Sequence, residues 1–209
     1  MLRVLIADDH TVVRRGLRQI LLEGFPLAEV EEVADAEELI KKIIQSTWDL
    51  VISDLSMPGR SGLEALQQIK QIQPKLPVLI LSIHPEEQYA IRVLRAGAAG
   101  YLSKDMAPDE LVIAVQKVLM GKKYITDTIA EKLASVLDQD ASKAPHEILS
   151  DREFSVLKLL ASGKSVSEIA DSMFLSVTTV STYRTRIMSK MNMKNNADLT
   201  LYAIENKLL

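Results

Sequence analysis

Leu50-Val51-Ile52-Ser53-Asp54-Leu55-Ser56-Met57-Pro58-Gly59 is the stretch whose reading decides the fold. A short, mostly apolar run of four residues ends at a carboxylate, and turn residues follow at once. A run of this length bounded by turn formers reads as a parallel strand buried on both faces, emptying into a loop. In an open α/β sheet, ligands bind beyond the carboxyl ends of the strands, which is where Asp54 stands. Alone, such an aspartate reads equally well as a turn former. Its company elsewhere in the chain decides otherwise.

Outward from this stretch the same punctuation recurs. Arg3–Ala7 is a short strand that ends at Asp8-Asp9-His10. Thr11–Glu23 has helical apolar spacing (Val12, Val13, Leu17, Ile20, Leu21), with Gly24 and Pro26 as stop signals. Val30–Val33 is a weak strand, and Asp35 with Glu38 marks a capping box for the next helix. After Gly62 a helix carries Leu63, Leu66, Ile69 and Ile72 to Pro74. Pro77–Leu81 is a strand ending at Ser82, and Pro85 opens a helix that ends near Gly97. Ala98–Leu102 is a fifth strand ending at Ser103-Lys104, followed by a helix over Glu110–Met120. Five strands alternating with five helices predict an α/β, doubly wound parallel sheet with right-handed crossovers.

If the strands ending at these positions are neighbours, then Asp8, Asp9, Asp54, Ser82 and Lys104 converge at one edge of the sheet. Three carboxylates cannot share a site ionised without a counter-charge. An all-oxygen set suits Mg²⁺, a hard ion held by one or two carboxylates together with phosphate. A lysine supplies fixed positive charge, and a serine hydroxyl can bond a phosphoryl oxygen. Together they describe a carboxylate that accepts a phosphoryl group. His10 reads as a helix-start residue outside the site, and His84 and His146 receive no role.

The chain has 209 residues, 47% hydrophobic and 25% charged, and no cysteine. It therefore carries no disulfide framework and no thiolate metal site. No apolar run approaches membrane-spanning length and no signal peptide precedes the first strand, so the expected compartment is cytoplasmic, without membrane partners. The net charge of −3 hides an asymmetry: residues 1–145 carry 17 Lys+Arg and 21 Asp+Glu, residues 146–209 carry 8 and 7. Within the second part, Thr178 to Ala197 has no acid at all, and contains Arg184, Arg186, Lys190 and Lys194.

Residues 1–121 form the first domain and 148–209 the second. Residues 122–147 join them, with helical periodicity over Thr128–Leu137 and a polar linker over Asp138–Pro145. The second domain reads as a small all-α unit of four helices. Ser150-Asp-Arg-Glu153 and Ser165-Val-Ser-Glu168 are capping boxes, Ser176 caps a third helix, and a fourth runs from about Ala197. Two short helices joined by a tight turn, the second basic, form a helix-turn-helix pattern. On the basic helix Val180, Tyr183, Ile187 and Met191 share the inward side. Thr178, Ser181, Thr182, Thr185, Arg186 and Ser189 lie opposite, flanked by Arg184 and Lys190, a face suited to a major groove. On the last helix Leu199, Tyr202, Ala203 and Leu208 are candidates for a dimer contact or for closing the small core.

Asp8-Asp9, Asp54 with Met57-Pro58-Gly59, Ser82, and Gly100-Tyr101-Leu102-Ser103-Lys104 resemble a bacterial receiver domain of flavodoxin-like fold. Leu149-Ser150-Asp-Arg-Glu153, Ile169-Ala170 and Ser176-Val-Thr-Thr-Val180 resemble the LuxR-type helix-turn-helix. The pair resembles a two-component response regulator of the NarL/FixJ family, in its BvgA/GacA-like branch, across essentially the whole chain. The resemblance implies a transcription factor that is not an enzyme and takes a phosphoryl group on Asp54 from a sensor histidine kinase. It implies Mg²⁺ held by Asp8, Asp9, Asp54 and the Ser56 carbonyl, with Lys104 on the phosphoryl group and Ser82 and Tyr101 as a switch pair. Phosphorylation would draw Ser82 inward and let Tyr101 turn in after it. It also implies double-stranded DNA as a partner, bases read by Ser181, Thr182 and Thr185, and a homodimer when phosphorylated. Three positions depart from the family pattern. Tyr183 stands where most members have His, Ser181 and Thr185 replace common lysines, and Asp105 replaces the proline that holds a cis peptide after Lys104 in many receivers.

Other classes are disfavoured by particular residues. A dehalogenase-like phosphatase needs a second aspartate two positions after its nucleophile, and Ser56 is there. A ligand-sensing LuxR-type regulator needs an apolar pocket where this chain has acids. A receiver that never takes phosphate has no use for the complete set of five.

Overall fold

The computed structural model describes residues 1–58, 60–138 and 144–209. The chain divides into two compact units, Met1–Asp138 and Gln139–Leu209. Gly59 and most of the expected linker, residues 139–143, lie outside the described residues.

The first unit is a five-stranded parallel sheet: β1 (Arg3–Ala7), β2 (Glu29–Val33), β3 (Leu50–Asp54), β4 (Val78–Ser82) and β5 (Gly100–Ser103). Their order is β2-β1-β3-β4-β5, so the chain reverses direction across the sheet between β1 and β3. Every residue of β3 and β4 is buried, as their unbroken apolar runs require, whereas edge strand β2 is mostly half-buried. Register sets the site: Asp54 pairs with Leu81, and Ser82 with Ser103, so Asp54, Ser82 and Lys104 lie within a residue of one sheet edge.

Helices α1 (Thr11–Gly24), α2 (Ala36–Gln45), α3 (Gly62–Ile72), α4 (Glu86–Arg95) and α5 (Ala107–Leu119) connect and follow the strands. Leu17 and Leu21 of α1 pack with Leu111, Ala114, Val115 and Val118 of α5 over Val4, Ile6, Ile52 and Leu79. Val12, expected on the apolar face of α1, is exposed. At about 100° per residue it lies about 140° from Leu17, off the stripe that touches the sheet. Asp35 accepts from the backbone N–H groups of Glu37 and Glu38, which is half of the expected capping box.

The helical part of the expected linker is α6 (Asp127–Asp138), and it packs on α4 inside the first unit. Three contacts fix its start. Tyr124 bridges to Gly100 alongside β5, the Thr126 hydroxyl donates to Glu86 of α4 at 2.9 Å, and Ile129 is buried. The helix expected there is present, and its start, with Ile129 buried, belongs to the first unit.

The second unit is all-helical: α7 (Asp151–Ala161), α8 (Val166–Ser172), α9 (Val177–Met191) and α10 (Asn196–Glu205). Both expected capping boxes are formed, by Ser150 with Glu153 and by Ser165 with Glu168. Phe154, Leu157, Leu160, Ile169, Ala170, Val180, Ile187, Met191, Leu199, Ala203 and Leu208 make its core. Of the four candidates expected on the last helix, Leu199 and Ala203 of α10 and Leu208 just beyond it thus close the core. Tyr202, half-buried, meets His146 at 2.7 Å, while the exposed apolar residues of α10 are Leu201 and Ile204.

Candidate functional site

Asp54 is the last residue of β3 and is 3% exposed; Asp8 just beyond β1 is 1% exposed. Gly62 allows the close approach that shapes the loop after Asp54. Its backbone N–H donates to the Leu55 carbonyl, and a Cβ there would lie 1.9 Å from the Asp54 carbonyl oxygen. Helix α3 therefore begins against the phosphoacceptor candidate's own backbone, with Ser61 and Glu64 closing a capping box.

Lys104, in the 3₁₀ turn after β5, reaches back across the sheet edge. Its ammonium donates to Asp54 Oδ2 at 2.9 Å and forms an ion pair with Asp8 Oδ2 at 2.6 Å. Burial alone would lower the lysine's pKa, but the two carboxylates outweigh it and hold it raised. Asp54 is also raised: desolvation outweighs the relief from Lys104, and the Asp8 charge adds to the rise. One ammonium serves two buried carboxylates, with Asp9 beside them. The Lys104–Asp105 peptide is trans, as expected without a proline.

Asp8, Asp9, Asp54 and His10 each present a ligand atom within 4.8 Å of the others. Asp8 Oδ2 meets the Lys104 ammonium at 2.6 Å and Asp9 Oδ1 meets the His10 ring at 2.8 Å. Three carboxylates gathered around one ammonium leave negative charge and oxygen lone pairs in excess, the condition a hard octahedral ion satisfies. His10, left outside the site on sequence grounds, is part of this group.

Ser82 is fully buried; its hydroxyl accepts the His84 backbone N–H at 3.1 Å and also bonds the Tyr101 hydroxyl. Tyr101 donates to the His84 carbonyl at 2.7 Å, and burial pushes its phenol up to about 12. The inward turn expected to await phosphorylation is already made in this structure. The reason is that the buried hydroxyl finds two partners, so the ring sits inside with no polar group unpaired. His84 is a residue sequence reasoning missed. Its Nε2 meets the Ser56 hydroxyl at 2.8 Å, and its ring stacks on Tyr89. Only tertiary proximity of the β3 and β4 loops reveals this bridge.

On α9 the predicted face is exposed at Thr178, Ser181, Thr182, Thr185 and Arg186, with Arg184 half-buried. Thr182 donates to the Thr178 carbonyl and Thr185 to the Ser181 carbonyl, so both hydroxyls keep only lone pairs and methyls for a partner. Arg184 Nε donates to Asn196. Lys190, expected among the phosphate contacts, instead donates to Glu153 at 2.6 Å. Glu153 is buried inside its capping box, and a buried carboxylate draws the nearest cation. Burial alone would raise Glu153; Lys190 and Ser150 outweigh it and hold its pKa below the ordinary carboxylate range.

Residues 4–116 match the response regulator receiver domain, and residues 147–203 match the bacterial regulatory proteins of the luxR family. The chain is 37% identical over 209 residues to the response regulator UvrY of Escherichia coli K12, covering all of this chain and 96% of the relative. It is 40% identical over 215 residues to the oxygen regulatory protein NreC of Staphylococcus carnosus, covering 100% and 99%. The chain belongs to the NarL/FixJ-family response regulators. Among solved structures, an RcsB–DNA complex is 30% identical with a TM-score of 0.58, covering 96% of each chain. RcsB of Salmonella enterica serovar Typhimurium, bound to promoter rprA in the presence of phosphomimetic BeF₃⁻, is 29% identical with a TM-score of 0.65, covering 97% and 98%. Among the described residues, no helix is long and apolar enough to cross a membrane.

Proposed function

We propose that this regulator is a cytoplasmic transcription factor whose DNA binding is controlled by phosphorylation of Asp54. The carrying observation is a buried Asp54 paired with Lys104 beside the carboxylates of Asp8 and Asp9. An Asp54 oxygen attacks the phosphorus of a sensor kinase's phosphohistidine; the O–P bond forms, the N–P bond breaks, and the imidazole leaves. Lys104 and the buried Ser82 hydroxyl hold the phosphoryl oxygens. Asp8, Asp9, Asp54 and the Ser56 carbonyl would hold Mg²⁺, which when bound neutralises charge on the transferring group. Asp54 takes one group and turns nothing over, so the chain is not an enzyme.

For DNA, Arg184 and Arg186 contact phosphates while Thr178, Ser181, Thr182 and Thr185 face base edges. Lys190 is reassigned to holding α9 against α7. The regulator acts on double-stranded DNA as a homodimer, a reading supported by the solved structure of two RcsB dimers on two DNAs. Labelling with radioactive acetyl phosphate and Mg²⁺ tests the central point: Asp54→Asn is expected to take no label, and wild-type labelling of that variant would overturn the assignment.

A further inference from the structure

We infer that the exposed face of α9 reads thymine methyl groups, so that the preferred DNA carries thymine where Thr182 and Thr185 meet the major groove. The inference rests on the DNA reading proposed above and names what that face selects. Thr178, Thr182 and Thr185 stand at i, i+4 and i+7, one line along the helix, with Arg184 to one side and Arg186 to the other. All three threonines are exposed.

Two of their hydroxyl protons are committed within the helix. Thr182 Oγ1 donates to the Thr178 carbonyl at 2.9 Å, and Thr185 Oγ1 to the Ser181 carbonyl at 3.1 Å. A hydroxyl bonded to the previous turn lies back against the backbone, and the methyl, the other branch at Cβ, is left facing outward. In the first turn the Ser176 and Thr179 hydroxyls meet at 2.7 Å, and Ser176 also accepts the Thr179 N–H as the cap. Val177, 51% exposed at the start of α9, adds apolar surface at the end of a recognition helix that contacts base edges.

The base edges separate on this chemistry. Guanine offers only acceptors to the major groove, and a hydroxyl whose proton is already given has none for them. Buried against a methyl, those acceptors lose their water without replacement. Adenine and cytosine offer amino groups, but the lone pairs that would accept them sit behind the methyls. Thymine offers a methyl of its own, and contact between methyls removes apolar surface from water without needing a proton.

Selection from a randomised duplex pool by the full chain, with acetyl phosphate and Mg²⁺, supplies the probe. Each thymine of that duplex is then replaced in turn by deoxyuridine, which removes the methyl and keeps every hydrogen-bonding group. At one or more thymines in each half-site the replacement is expected to weaken binding about fourfold. Thr182→Ser, which drops the methyl and keeps the hydroxyl, is expected to lose as much on the thymine duplex and to become indifferent to uracil at one position. Thr185→Ser should do the same at another position. Thr182→Val keeps an outward methyl and should bind the thymine duplex within about twofold of wild type. Indifference of the wild type to uracil at every position, or equal losses for Thr182→Val and Thr182→Ser, would overturn methyl readout while leaving DNA binding intact. Failure to select any duplex would overturn the DNA reading beneath it.

Discussion

Asp54 is held at a free-energy cost that belongs to its function. Its pKa is raised from the usual 3.8 because burial and Asp8 together exceed what Lys104 offsets. A carboxyl whose pKa is higher folded than unfolded destabilises the fold wherever it is ionised. The penalty is complete above the folded-state value and disappears as the pH falls through that value toward 3.8. Asp54→Asn should therefore raise the melting temperature of the first unit at pH 7 by about 2–5 °C. The gap to wild type should narrow on acidification, and calorimetry across pH checks both points. At Lys190 the expectation is the opposite of a phosphate contact. Lys190→Ala should destabilise the second unit by about 1–2 kcal/mol, below the buried-pair range because the ammonium keeps solvent contact. It should leave the slope of log affinity against log salt unchanged, whereas Arg186→Ala should flatten that slope by about one unit. Salt titrations of the two variants on one DNA duplex separate them.

At the scale of elements, the start of α3 couples packing to chemistry. The Cβ of Gly62→Ala would meet the Asp54 carbonyl oxygen at 1.9 Å and the Leu55 Cα at 2.9 Å. Both neighbours are backbone, so no flexible side chain can yield. The substitution should cost roughly 3 kcal/mol in urea unfolding. It should also slow labelling of Asp54, because relief requires moving the loop that carries it. Helix α6 illustrates a different lesson. Its apolar stripe is the same whether it spans a linker or packs on a neighbour. The Thr126–Glu86 hydrogen bond and the burial of Ile129 place it on α4, directly after the loop that holds His84.

The whole molecule comprises two units, each with its own core. A fragment beginning at residue 144 is therefore expected to fold alone and to bind DNA without phosphorylation. Full-length protein is expected to bind tightly only when phosphorylated, since a modification acts by favouring one of two arrangements already available. Titrations of fragment, full chain and phosphorylated full chain at one salt concentration check this. Equal affinity of the two full-length forms would remove the coupling while leaving each unit's own role intact.

The alternation of strands and helices, and the placing of Asp8, Asp9, Asp54, Ser82 and Lys104 at strand ends, were legible in the sequence because each follows an apolar run; that β1, β3, β4 and β5 are neighbours came from the sheet order. The helix-turn-helix was legible for a similar reason: capping boxes and 3.6-residue spacing are local signals. Side-chain pairings across distant segments have no such signal. Lys190 turns to Glu153 because a buried carboxylate 37 positions away needs a cation. Tyr101 rests inward because Ser82 and the His84 carbonyl satisfy its hydroxyl, and His10 joins the acids because its Nδ1 reaches two of them. Periodicity along the chain specifies which face is apolar; which partner meets a polar group is decided by desolvation and geometry, and these exist only once the chain has folded.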